Sequence, residues 1–295
     1  MNALGLIKSE PIDVYHASPA ISHSKLQFFR ENFAADYHAK YIAKTYPREA
    51  RKEHFDFGTA VEARCISELE YKSQVAVSPY DEFRTDLAKG WRNEMWAAKR
   101  IVLKRDAASL AMKCFEAVMR NPDARAIIEG SQPQKTFRVK LESVSLQNRC
   151  DFWANNGVTL PSDGTETGPL DADLKTCDSI HEFQKQSVDL GYDHAAIFYR
   201  EVIRLTLARI AGVAADSLPY VRRMFIAVDK TQNPSCIVYD MTEELLRIAD
   251  HEVIGDEDDP GLLHRLLGHY QANTWPGAPV RGEIAAPYWK RRKSA

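Results

Sequence analysis

From Ser24 to Thr45 the apolar positions Leu26, Phe29, Phe33, Tyr37 and Tyr41 recur every three to four residues, the spacing of one helix face. A serine at the start of this run predicts a cap. Phe57 to Glu68 and Asp106 to Arg120 predict two further helices, the latter stopped by Asn121-Pro122. The period then changes to two. Phe137, Val139 and Leu141 alternate with Thr136, Arg138 and Lys140, which predicts a strand over Lys135 to Leu141. Leu146 to Trp153 and Leu170 to Thr176 predict the next two strands of a meander. Between them, Asn155 to Gly168 has the Gly, Asn, Ser, Asp and Thr content of a surface loop. Helical spacing returns in Ser179 to Leu190 and Tyr192 to Ala211. Strands follow at Arg223 to Asp229 and Cys236 to Met241, then mostly helix from Thr242 to Tyr270. This order predicts an α/β (α+β) fold with a central mixed sheet flanked by helices. Residues 1–130 read as mainly helical, and 131–295 as holding most of the sheet.

Composition narrows the class. With 295 residues, 44% hydrophobic and 27% charged, the chain has enough apolar material for a large core. Its net charge of -2 means that a nucleic-acid ligand must be held by a local basic surface rather than by the whole molecule's field. The five cysteines are scattered without a C-x-x-C pair, which predicts reduced core thiols and no zinc or iron-sulfur centre. Met1 to Lys8 lacks a signal-peptide pattern, and no apolar run reaches membrane-spanning length. A cytoplasmic protein with no membrane partner is the expectation. Gly255 to Pro260 is acidic but lacks the ligand spacing of a calcium loop, so it reads as an inter-helix loop. The basic tail Lys290 to Lys293 reads either as a phosphate contact or as a disordered end.

Candidate chemistry centres on Asp173-Leu174-Lys175, where a carboxylate and an ammonium share one face of a predicted strand. Such triplets are common; about two are expected by chance in a chain of this size. A second, Glu70-Tyr71-Lys72, does occur. Asp173 stands out because Arg149-Cys150-Asp151 closes the preceding strand, alternation putting Arg149 and Asp151 on one face and Cys150 and Phe152 on the other. If the strands are neighbours, Asp151 and Asp173 converge. Paired carboxylates repel unless a cation or a proton intervenes, and oxygen ligands suit Mg²⁺ or Mn²⁺. The competing reading is that Arg149 simply pairs with an aspartate across the strands.

A resemblance covers most of the chain. His54 to Arg64, Arg149-Cys150-Asp151, Asp173-Leu174-Lys175-Thr176 and Gly191 to Tyr199 stand in the order of PD-(D/E)xK nucleases. The whole resembles the RecE-like exonucleases (exodeoxyribonuclease VIII) of phages and prophages. Ile21 to Leu26, Phe83-Arg84-Thr85, Lys89-Gly90-Trp91 and Trp275-Pro276-Gly277 add to the likeness.

The resemblance implies a restriction-endonuclease-like core and one nuclease domain over 1–295. It implies a Mg²⁺-dependent deoxyribonuclease, with Mn²⁺ able to substitute, that degrades linear duplex DNA ends 5′ to 3′ during recombination. Asp151, Asp173 and Glu62 match the metal ligands, with a carbonyl from Leu174, and Lys175 matches the catalytic lysine. Tyr199 matches the tyrosine of a Q-x-x-x-Y helix; Arg149 is a further candidate substrate contact, and His194 or Arg200 are the candidates to take over substrate positioning where Ala195 replaces the usual Gln. A single-strand annealing partner and a homo-oligomeric ring are also implied. Two positions depart from the pattern: Glu62 stands for the usual His, and Ala195 for the usual Gln. Carboxylate oxygen suits Mg²⁺, so Glu62 is a compatible exchange. Ala195 leaves open a catalytically weakened DNA-binding or recombination protein. A PD-(D/E)xK endonuclease and an enzyme acting on small phosphate esters compete with the exonuclease reading as well.

Overall fold

The computed structural model describes residues 4–7, 10–47, 54–141 and 143–281. Its strands are β1 (Gly5–Ile7), β2 (Val75–Val77), β3 (Ile101–Leu103), β4 (Gln132–Leu141), β5 (Val144–Ala154), β6 (Leu170–Cys177), β7 (Arg222–Asp229) and β8 (Cys236–Asp240). The order β1-β4-β5-β6-β7-β8 forms a six-stranded sheet, and β2 with β3 a parallel pair. Every pairing in the large sheet is antiparallel except β6 with β7. A parallel neighbour needs a crossover. Here the crossover is α9 (Phe183–Asp189) and α10 (Tyr192–Ala211), and it carries the chain across one face of the sheet.

Helices cover both faces. On one lie α4 (His54–Ile66), α7 (Arg105–Arg120) and α8 (Pro122–Gly130), which bury Ala60, Val61, Cys114 and Ile127 against Ala172, Leu174, Ile226 and Val228. On the other, α2 (His23–Glu31), α10, α11 (Glu243–Val253) and α12 (Leu262–Ala272) pack Leu26, Ile197, Phe198, Val253 and Leu266 against Phe137, Leu146 and Trp153. The fold is thus a mixed α/β one, a mostly antiparallel central sheet flanked by helices, as the hydrophobic pattern predicts. Four further α-helices are α1 (Ile12–Ala17), α3 (Ala34–Tyr37), α5 (Glu68–Gln74) and α6 (Asp86–Ala97).

Some boundaries differ from the sequence reading. The helix expected over Ser24 to Thr45 is broken at Asn32 and Phe33, both extended, and α3 then runs into a π turn at His38–Ile42. Asn32 Nδ2 donates to Phe28 O at 2.9 Å, a side chain competing with the helical ladder. Thr242 to Tyr270 divides into α11 and α12 around the acidic loop, where Asp256 Oδ1 accepts the N–H groups of Asp258 and Asp259. Glu70-Tyr71-Lys72 lies on α5, capped by Ser67. The five thiols are free, and no described helix is long and apolar enough to cross a membrane. The Lys290 to Lys293 tail lies outside the described residues.

Candidate active site

Strands β5 and β6 pair only at Phe152 with Ala172, Trp153 with Asp171 and Ala154 with Leu170. Past that point they part, and the gap opens where Asp151 faces Asp173. Asp151 has left the ladder: its Oδ2 accepts the Leu174 N–H at 2.9 Å. The β4–β5 register likewise skips Asp151, opposite Gln134, whose φ of 53° is left-handed. This corrects the expected strand faces. Cys150 packs on the α10 side and Phe152 on the α4 side, because the chain turns over between them at Asp151. Arg149 and Asp151 still border one cleft.

Asp173 is buried on β6 between two cations. Lys175 Nζ holds its Oδ2, and Arg223 Nη2 reaches its Oδ1 at 3.1 Å. Arg223, on β7, is in register with Asp171 and also pairs with it, while its guanidinium sits 4.2 Å from the Tyr199 ring centre. The pairing of Arg149 with an aspartate is not realised. Arg149 donates instead to Glu10 O at 2.6 Å and to Gln134 Oε1 at 2.8 Å.

Glu62 comes from α4, which approaches β6 closely because Gly58 lies against it. A Cβ on Gly58 would sit 3.3 Å from Thr176 Oγ1. One turn later Glu62 Oε1 accepts from Gln134 Nε2 at 3.2 Å. Burial pushes the Glu62 carboxyl upward, against the Gln134 hydrogen bond, and the Asp173 charge adds to the rise. Burial likewise raises Asp151 well above the ordinary carboxylate range, with Glu62 and Asp173 adding repulsion. For Asp173 burial also opposes the charge, but Lys175 and Arg223 outweigh it and hold the group low. Burial works against the Lys175 ammonium, yet Asp173 and Asp151 lift its pKa above the usual lysine value.

The cleft beside these groups has a volume of about 980 Å³; Glu62, Asp151, Arg149, Gln134 and Tyr199 are among its lining. Glu10, Asp56 and Glu70 also line it, so carboxylates outnumber the cations Arg149 and Lys99 in a lining that is otherwise polar and apolar. Hard carboxylate oxygens that raise one another's proton affinity form a donor set for a divalent cation, which would cancel the repulsion. Among the described residues no three acidic, His or Cys side chains are gathered tightly enough to hold a metal as they stand. Asp173 is turned to Lys175 and Arg223. The donor chemistry fits, with Glu62, Asp151 and Asp173 as the residues that would hold the ion.

The remaining sequence candidates divide. Leu174 contributes its N–H to Asp151, and Tyr199 borders the cleft. His194 and Arg200 are not brought there: His194 Nε2 contacts Glu252 and its Nδ1 contacts Arg30, while Arg200 pairs with Asp250. Both lie on α10 faces turned toward α11. The residues that sequence reasoning missed are Gln134, Arg223 and His23. His23 is edge-on to Tyr199, and burial drives its pKa down to about 3, so it is neutral. In the sequence its segment carries only a family likeness, and Arg223 reads only as the start of a strand.

The family model of a PDDEXK-like domain of unknown function (DUF3799) matches residues 22–259. The chain belongs to this family. The PDDEXK-like match spans Glu62, Asp151, Asp173 and Lys175, and so includes the whole gap between β5 and β6. A solved structure named "Putative exonuclease" from Eubacterium rectale has the same fold, with a TM-score of 0.59 and 12% identity. That likeness covers 95% of this chain and 97% of the other. No curated protein matches this PDDEXK-like chain.

Proposed function

We propose that this chain is a Mg²⁺-dependent deoxyribonuclease that acts at the ends of linear duplex DNA. The observation that carries the reading is that Asp151 is tied to the strand of Asp173 and Lys175 where β5 and β6 part, with Glu62 and Asp151 lining the cleft at that gap. Membership of a PDDEXK-like family supports it, since nucleases of that kind generally use divalent ions. The exonuclease name of the Eubacterium rectale protein supports the end-directed mode.

A bound divalent ion supplies an activated water and counter-charge for the phosphate. The protein's own groups do the rest. Glu62, Asp151 and Asp173, with the Leu174 carbonyl, would form the oxygen set that holds the ion. Lys175, kept charged by Asp173 and Asp151, orients the attacking water and offsets charge on the phosphate. The carboxylates of the cleft would repel a phosphate, and a bound cation would supply the counter-charge that offsets this. Arg149 and Tyr199, which line the cleft, are the candidate contacts for the DNA strand. The single domain over 1–295, the 5′ to 3′ polarity, the recombination setting, an annealing partner and a ring oligomer follow from the RecE-like resemblance and belong to this proposal.

The test is digestion of linear duplex DNA beside the same DNA as a covalently closed circle, in Mg²⁺ and in EDTA. Nucleotide release from the linear form alone, abolished by EDTA, is expected. Equal cutting of the circle would replace the exonuclease reading by the endonuclease one.

A further inference from the structure

Gln134 holds a backbone conformation that its residue type disfavours. Its φ of 53° lies in the left-handed region, at the one place where the β4–β5 register skips a pair. Only glycine adopts that region without steric cost, so such an outlier persists when the surroundings impose it. The side chain explains what is gained. Arg149 Nη2 donates to Gln134 Oε1 at 2.8 Å, and Gln134 Nε2 donates to Glu62 Oε1 at 3.2 Å. Arginine is only a donor, so the amide must turn Oε1 to Arg149 and Nε2 to Glu62. Regular strand geometry at Gln134 would keep Asp151 in the ladder, away from Leu174 N–H.

We propose that Gln134 is a positioning residue: its strained backbone releases Asp151 into the gap, and its amide, fixed by Arg149, orients Glu62 toward the same point. The proposal rests on the metal-dependent reading above. Among the described residues Glu62 Oε1 has Gln134 as its hydrogen-bond partner and Oε2 has none, which leaves Oε2 to a cation. Groups that orient a metal ligand in this way typically account for about 10–100-fold in metal affinity.

The test separates strain from orientation. Gln134→Gly keeps the left-handed backbone without strain and removes the amide; Gln134→Ala removes the amide and keeps the strain. Mn²⁺ affinity is measured by calorimetry without DNA, and thermal midpoints are measured in EDTA. Both variants are expected to bind Mn²⁺ about 10-fold or more weakly, while Gln134→Gly unfolds at a higher temperature than Gln134→Ala. Wild-type Mn²⁺ affinity in Gln134→Gly would overturn the role of the amide. A Gln134→Gly midpoint below that of Gln134→Ala would overturn the strain. Absence of Mn²⁺ binding by the wild-type protein would overturn the metal reading itself, and this proposal with it.

Discussion

Replacing Arg223 by Gln tests whether the pairs at the head of β7 hold the site together. The guanidinium is 6% exposed, and its partners Asp171 and Asp173 are 1% and 7% exposed. Without it, Asp171 loses its cation, and Asp173 keeps only Lys175. Removing one partner of a buried ion pair costs about 3–5 kcal/mol, because the remaining charge stays desolvated. That is a large part of a typical total stability of about 5–15 kcal/mol. At about 2–4 °C per kcal/mol for chains of somewhat smaller size, the thermal midpoint should fall by about 6–20 °C. Thermal unfolding followed by circular dichroism in EDTA at neutral pH measures this. Adding Asp171→Asn removes the orphaned acid and should restore a substantial part of the loss. A midpoint of Arg223→Gln indistinguishable from wild type would show that the buried pairs do not hold the site together, as would a double variant less stable than the single one.

Three further outcomes are expected. Gly58→Val drives methyl groups into Thr176 and lifts α4 off β6, costing about 1–3 kcal/mol and lowering DNA hydrolysis because Glu62 rides on the same helix; unchanged hydrolysis would contradict the close approach. His194→Ala and Arg200→Ala alter contacts with α11 rather than with the cleft, so hydrolysis rates stay at the wild-type level while thermal midpoints drop modestly; a selective loss of rate would return them to the site. Burial lifts the Cys114 and Cys177 thiols to about 11 and Cys236 to about 12, so iodoacetamide at pH 8 should label native protein slowly and unfolded protein quickly.

The site is legible in the sequence wherever it depends on period and order. Alternation along β4 and β6 locates the strands, and the meander puts Asp151 beside Asp173. Glu62 is visible only through resemblance, since its helix carries no sign of which strand it will cross. The turnover at Asp151 is not legible at all: it arises from a left-handed Gln134 on the neighbouring strand, and Gln carries no propensity for that conformation. Arg223 is hidden for a similar reason, because its partners lie on a parallel neighbour reached by a crossover of two helices. Three-residue strands such as β1, β2 and β3 offer no window long enough for a period. The break at Asn32 reflects side-chain competition that the helical spacing of Phe29, Phe33 and Tyr37 conceals.

On the proposed reading, Lys175 and the surrounding acids form a metal-dependent hydrolytic site. The most direct measurement is the release of acid-soluble nucleotides from linear duplex DNA in Mg²⁺, for wild type, Lys175→Ala and Asp173→Ala, each confirmed folded by circular dichroism. Release by the wild type that both variants lose is the predicted result; full release by folded Lys175→Ala and Asp173→Ala would contradict it.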